Sequence, residues 1–443
     1  MSKRTYCFLL ILCMVGFLGF PARADEALTV TDLNKRAESG DAGAQYALSL
    51  KYFLGDGVEK DTGKAMRFLT AAAGNGDARA QRKLGVIYYY GLDVEKDLAV
   101  ARAWYVKSAE QGNDEAQYAL AAMLREGLGG EKDLHAAFEW YSQAAQAGNT
   151  RAQFNLAGMY YRGEGVDKDV EAAFNWYKEA SDEGNPHAQY ALARRYYEGQ
   201  GVQTDHVQAL KWFLKAADQG HANAQYRAAR MIQEGQGTQE DLKTAALWFE
   251  KAAAQGHVDA QYSLGRILYK GEGIKKDYPA AFKWFASAAQ QGDKDAQFLL
   301  AKMYYYGLGT NKDDEQAFNW FKLSAYQGNK DAQFGLGRLF YRGHGTRRDD
   351  RMARIWLKKA AESGEEDSLY YLGLVALNGQ GVELSDIEAY AWFFVAKERA
   401  VDEAEKELEA LKKKLSPAEM EKAKEQAEKF HEKYVLPFTG NSG

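Results

Sequence analysis

Five basic side chains stand in one column of this sequence: Arg194, Arg230, Arg266, Lys302 and Arg338, each 36 residues from the next. A guanidinium presents a planar fork of donors that matches a carboxylate, and an ammonium supplies a compact point charge. Aromatic residues accompany them four positions before and three after: Tyr190 and Tyr197, Tyr262 and Tyr269, Phe298 and Tyr305, Phe334 and Tyr341. At 100° per residue these offsets share one helix face. A cation between aromatic rings suits carboxylates, acidic peptides or sugars. The earlier members of the same column are Leu50, Val86, Ala122 and Gly158, so this chemistry is confined to the later part of the chain. A plainer reading is favoured over a binding groove: the rings pack between repeats, and the arginines lie along the surface and pair with neighbouring acids.

Reactive chemistry is harder to find. The sequence contains no Ser-x-x-Lys, no Gly-x-Ser-x-Gly elbow, no Walker phosphate loop and no His-Glu-x-x-His. Both cysteines, Cys7 and Cys13, fall within the first 24 residues, leaving no thiol nucleophile, disulfide or cysteine metal site beyond them. An aspartate column runs from Asp61 through Asp169 to Asp349 at the same 36-residue interval. Helix capping explains it, with an isolated cation site near Glu164 or Glu272 as the alternative. His221 and His257 share another column, as a solvated loop pair or a weak metal site. The expectation is a protein that is not an enzyme and has no cofactor or metal. A formal charge of −5 argues against general nucleic-acid binding, which needs a basic footprint.

The elements that carry these columns repeat with the same period. Gln recurs at Gln45, Gln81, Gln117 and onward to Gln333, and Trp from Trp104 to Trp392, every step being 36 residues. Those nine Trp are all the chain has. In the unit from Gln153, Leu156, Ala157 and Tyr160 mark one face of a first helix, and Gly163-Glu164-Gly165-Val166 reads as a turn. Asp169 reads as an N-cap, Ala173, Trp176 and Ala180 mark a second helix, and Gly184 ends it. Small residues four after each Gln and three before each Trp let helices approach closely, with Trp and Tyr filling the wider gaps. On this reading the Trp residues are core, and losing Trp248 costs about 3–5 kcal/mol. One helix pair cannot bury both its faces, so neighbours must stack.

The unit A-Q-x-x-L-G/A-x-x-Y-x-x-G-x-G-V-x-x-D, then A-x-x-W-x-x-x-A-A-x-x-G, resembles the Sel-one-like repeat, a branch of the tetratricopeptide-like α-solenoids. The match covers residues 45 to about 396. Departures are mild: Phe68 at the first Trp position, Gly127-Leu128-Gly129-Gly130 at one turn, and Ser368-Leu369 with Ser385 in a degenerate last unit. The resemblance implies an all-α fold, a right-handed α-solenoid superhelix of about ten 36-residue antiparallel helix pairs with a C-terminal helical cap. It also implies that the first helices line the concave side, and that the protein is an adaptor for membrane-linked complexes, signalling or host contact.

Residues 1–24 have the features of a secretory signal. Lys3 and Arg4 precede an apolar run from Cys7 to Phe20, too short for a comfortable membrane span, and Ala22-Arg23-Ala24 is an A-x-A cleavage site. Cleavage after Ala24 takes the formal charge from −5 to −8 and places the chain in the periplasm or outside the cell. An uncleaved anchor, or a lipid anchor at Cys13, is the alternative, disfavoured because Leu10-Ile11-Leu12 lacks the small residue wanted before Cys13. Residues 25–44 form a capping helix. Residues 397–443 form a helical cap and tail, with a capping box at Ser416-Pro417-Ala418-Glu419; a helical docking or dimerisation element is the alternative. The expected function is a non-enzymatic, exported, monomeric scaffold that binds protein or peptide partners, acidic ones included, in envelope assembly or host interaction. A glycan-binding or weakly hydrolytic accessory of the cell wall is the runner-up.

Overall fold

The computed structural model describes residues 29–439. The signal segment, its cleavage site, both cysteines and the last four residues lie outside them. Among the described residues the secondary structure is entirely helical. The chain divides into two compact units, 1–205 and 206–443.

In the first unit a leading helix, Val30–Glu38, precedes helix pairs that repeat every 36 residues, from Ala42–Leu54 with Thr62–Gly74 to Thr150–Arg162 with Val170–Asp182, and then Pro186–Glu198. In the second, His206–Asp218 is followed by pairs from Ala222–Gln233 with Leu242–Ala254 to Asp367–Asn378 with Asp386–Glu398. The first helix of a pair is called A below and the second B.

The local punctuation is the same in each repeat. In the pair from Thr150, the Asn149 side chain accepts the amide of Ala152 and starts the A helix. Gly163 ends that helix in the left-handed region at φ 69°. Gly165 is also left-handed at φ 72°, and a Cβ there would overlap the carbonyl of Leu134 in the preceding B helix. One glycine therefore turns the chain and the other lets two repeats touch. Asp169 accepts the amides of Glu171 and Ala172 and starts the B helix. Most other members of the aspartate column cap in this way, Asp61, Asp241 and Asp349 among them. His257 is also a cap, accepting the amide of Ala260 at 3.3 Å.

The core differs from expectation in one respect. The tryptophans are not its centre: Trp104, Trp140, Trp176, Trp248, Trp284 and Trp320 are half-buried, while Trp212, Trp356 and Trp392 are buried. The fully buried ring is one residue later, as in Tyr141, Phe249, Phe285 and Phe393. The small residue four after Gln faces that ring: a Cβ on Gly265 would sit 2.7 Å from Phe285. A lysine three residues on lies over the indole, Lys251 over the half-buried Trp248 at 3.8 Å and Lys215 over the buried Trp212 at 3.9 Å.

The Gln column joins helices. Gln261 is buried, donates to the carbonyl of Ala253 at the end of the preceding B helix (3.1 Å), and accepts from Gln291 at the end of its own repeat's B helix (2.9 Å). The same pair of bonds recurs at Gln45, Gln81, Gln225 and Gln297.

Both ends of the described chain are covered. Leu33 and Ala37 of the leading helix pack on Ala44 and Leu48. At the other end Pro417–Tyr434 starts with the expected Ser416–Glu419 capping box and packs on Asp386–Glu398. Trp392 is 1 % exposed there, with Phe430 and Tyr434 at ring distances of 4.0 and 5.0 Å.

Candidate functional site

The sequence-derived residues fall in both units, and each set is described by itself. In the first unit, Tyr190 and Tyr197 are half-buried on Pro186–Glu198. Arg194 between them is bound to Glu198, one turn along the same helix, at 3.0 Å through Nε and 2.7 Å through Nη2. That bond raises the Arg194 pKa.

In the second unit, Arg230 makes the equivalent pair with Glu234, at 3.0 Å through Nε, and its pKa rises for the same reason. The next three cations are held differently. Arg266 is exposed, with its guanidinium 5.8 Å from the ring centre of Tyr262. Lys302 is half-exposed, 5.4 Å from Phe298. Arg338 is half-buried between Tyr305 (5.4 Å) and Phe334 (5.5 Å), and its buried Nε has no acceptor.

The rings are also packing residues. Tyr262 lies 6.1 Å from Phe285, Tyr269 5.3 Å from Tyr278, Phe298 6.0 Å from Phe321, and Phe334 and Tyr341 lie 5.4 and 6.0 Å from Tyr371. Burial pushes the phenols of Tyr262, Tyr269 and Tyr341 above their ordinary value, so they stay neutral hydrogen-bonding groups. Of the plainer reading, the packing of the rings holds, while the pairing with acids holds for Arg194 and Arg230 only; Arg266, Lys302 and Arg338 lie over rings instead.

Three features escaped the sequence reading. The first is the identity of the acids in the expected pairing, Glu198 for Arg194 and Glu234 for Arg230, each four residues on at helical spacing. The second is Tyr306, 54 % exposed beside Tyr305 at a ring distance of 4.9 Å. The third is Arg195, which is 4 % exposed. It occupies a core column that holds Met159, Met231, Ile267, Met303 and Leu339 elsewhere. Its guanidinium lies on the Tyr161 ring at 3.8 Å and donates to Gln200, its Nε has no acceptor, and no carboxylate pairs with it among the described residues. The same guanidinium lowers the Tyr161 phenol pKa. Comparing columns position by position was enough to expose it.

Among the described residues no group of three or more His, Cys, Asp or Glu is arranged to hold a metal ion. No described helix is long and apolar enough to cross a membrane.

The Sel1 repeat pattern matches ten consecutive segments, from 42–77 to 366–399. Comparison with the curated proteins gives no match. Among solved structures, a protective antigen of uropathogenic Escherichia coli with an SLR fold is 35 % identical, with a TM-score of 0.74 over 91 % of this chain and 87 % of that one. A Sel1 repeat protein from Oxalobacter formigenes is 30 % identical, with a TM-score of 0.56 over 74 % of this chain and 99 % of that one. Ten segments in unbroken succession, in the same frame as the helix pairs, make this chain a member of the Sel1 repeat family.

Proposed function

We propose that this protein is an exported, non-catalytic scaffold that binds a protein partner through the exposed faces of its A helices, in envelope assembly or in contact with a host. Sel1 repeat proteins generally bind protein partners and are typically non-catalytic, which supports the general role. The observation that carries the specific reading is the ladder of Arg266, Lys302 and Arg338 on three successive A helices of one unit, each over an aromatic ring. A regular row of cations on equivalent helices presents the same contact at each step, which suits an elongated partner better than a small substrate.

Export rests on Lys3, Arg4, the apolar run and the Ala22-Arg23-Ala24 site. The uropathogenic relative is a protective antigen, which supports a location that an immune system encounters. The test is crosslinking in the native host with identification of the adducts, combined with fractionation of the envelope. Recovery of one protein in an envelope or extracellular fraction supports the proposal. A purely cytoplasmic chain beginning at Met1, or recovery of cell-wall glycan in place of protein, contradicts it.

A further inference from the structure

The acids that neutralise the basic column stop partway along it. Arg194 and Arg230 each have a glutamate four residues on, and both are bound to it. The corresponding positions on the next three A helices hold Lys270, Tyr306 and Arg342. Lys270 pairs with Glu272 in the following turn at 3.0 Å. Among the described residues Arg266, Lys302, Arg338 and Arg342 form no ion pair. Arg342 donates instead to the phenol oxygen of Tyr371 at 2.9 Å.

These four cations are nonetheless held in place. Arg266, Lys302 and Arg338 lie over Tyr262, Phe298 and the Tyr305–Phe334 pair, and Arg342 is anchored by Tyr371. Aromatic neighbours restrict a cation without cancelling its charge. A carboxylate arriving from outside therefore meets donors whose side-chain freedom is already reduced and whose charge is still available. The chain as a whole is acidic, so a row of unneutralised cations runs against its net charge of −5.

We propose that helices Val258–Lys270, Lys294–Tyr306 and Lys330–Arg342 bind an acidic, extended segment of a protein partner. Its Asp or Glu carboxylates pair in succession with Arg266, Lys302 and Arg338. Arg194 and Arg230 take no part, because their own glutamates already occupy them. This deepens the scaffold reading and rests on it. A peptide fits better than a sugar because one side of the rings is already engaged by packing: Tyr262 with Phe285, Phe298 with Phe321, Phe334 with Tyr371. Arg266, Lys302 and Arg338 also lie 5.8, 5.4 and 5.5 Å from the centres of these rings, so a sugar stacking there competes with a cation already in place.

The test is fluorescence anisotropy of the full chain with a labelled peptide of alternating Glu and Ser, and with its Gln-for-Glu counterpart. The variants are R266Q/K302Q/R338Q and R194Q/R230Q, with R266Q/K302Q as a more conservative form that leaves the half-buried Arg338 in place. Helical circular dichroism confirms folding. The expected result is salt-sensitive binding of the Glu peptide only, weakened about tenfold or more in R266Q/K302Q and in the triple variant but less than about twofold in R194Q/R230Q. Equal binding of the two peptides, equal losses in both sets of variants, or binding of polygalacturonate but not the Glu peptide overturns the assignment. If the peptide fails while the native host yields a crosslinked protein partner, only the acidic-segment assignment falls. If no partner is crosslinked, the scaffold reading itself fails.

Discussion

Gln291 donates its side-chain amide to Oε1 of Gln261, thirty residues earlier, at 2.9 Å. Gln261 is buried and also holds the Ala253 carbonyl, so one amide joins three successive helices. Replacing Gln291 with Ala leaves a buried acceptor unpaired and should cost about 1–3 kcal/mol in urea unfolding, more than a surface substitution would.

Two repeats lack this bond and offer the reverse experiment. Ala147 and Glu183 stand where the donor should be, and Oε1 of Gln117 and of Gln153 is buried without a partner. Ala147→Gln should therefore stabilise the chain by about 1 kcal/mol, read as a higher unfolding midpoint. The gain should vanish in a Gln117→Leu background, which removes the acceptor.

The buried ring and the indole beside it should separate in energy. Phe249 is 0 % exposed and Trp248 is half-buried. Phe249→Ala should cost about 3–5 kcal/mol and Trp248→Ala about 1–2 kcal/mol. Equal losses would restore the tryptophan to the centre of the core. Sequence periodicity located both positions without ranking them, because adjacent residues on a helix lie 100° apart and only the neighbouring helix decides which one is enclosed. The same limit applied to the basic column. Its 36-residue interval was legible, as was the whole repeat, but the difference between a paired Arg230 and an unpaired Arg266 depends on the residue one turn away.

Arg195 lies in a core column with no carboxylate beside it among the described residues. Arg195→Met, which introduces the residue found at positions 159, 231 and 303, should raise the unfolding midpoint by removing a desolvated charge. A lower midpoint would mean that its contacts with Tyr161 and Gln200 outweigh that charge.

Burial pushes the Glu365 carboxyl up to about 7, while its Oε2 accepts the amide of Ser368 at 2.8 Å. Between the ordinary glutamate range and pH 7 the folded chain keeps a proton that the unfolded chain has lost. Stability should therefore fall as pH rises from about 4.5 to 7 and level off above it. Glu365→Gln keeps an acceptor and cannot ionise. It should flatten that slope, matching the parent at pH 4 and exceeding it at pH 8 in parallel urea titrations.

The most direct test of the scaffold account is photocrosslinking from two helices of one repeat in the native host. A benzophenone amino acid replaces Tyr306, on the exposed face of an A helix, or Lys322, exposed on the B helix of the same repeat. The account predicts one defined protein adduct from position 306, lost in R266Q/K302Q, and none from position 322. Equal adducts from both positions, or an adduct from 306 that survives R266Q/K302Q unchanged, would contradict it.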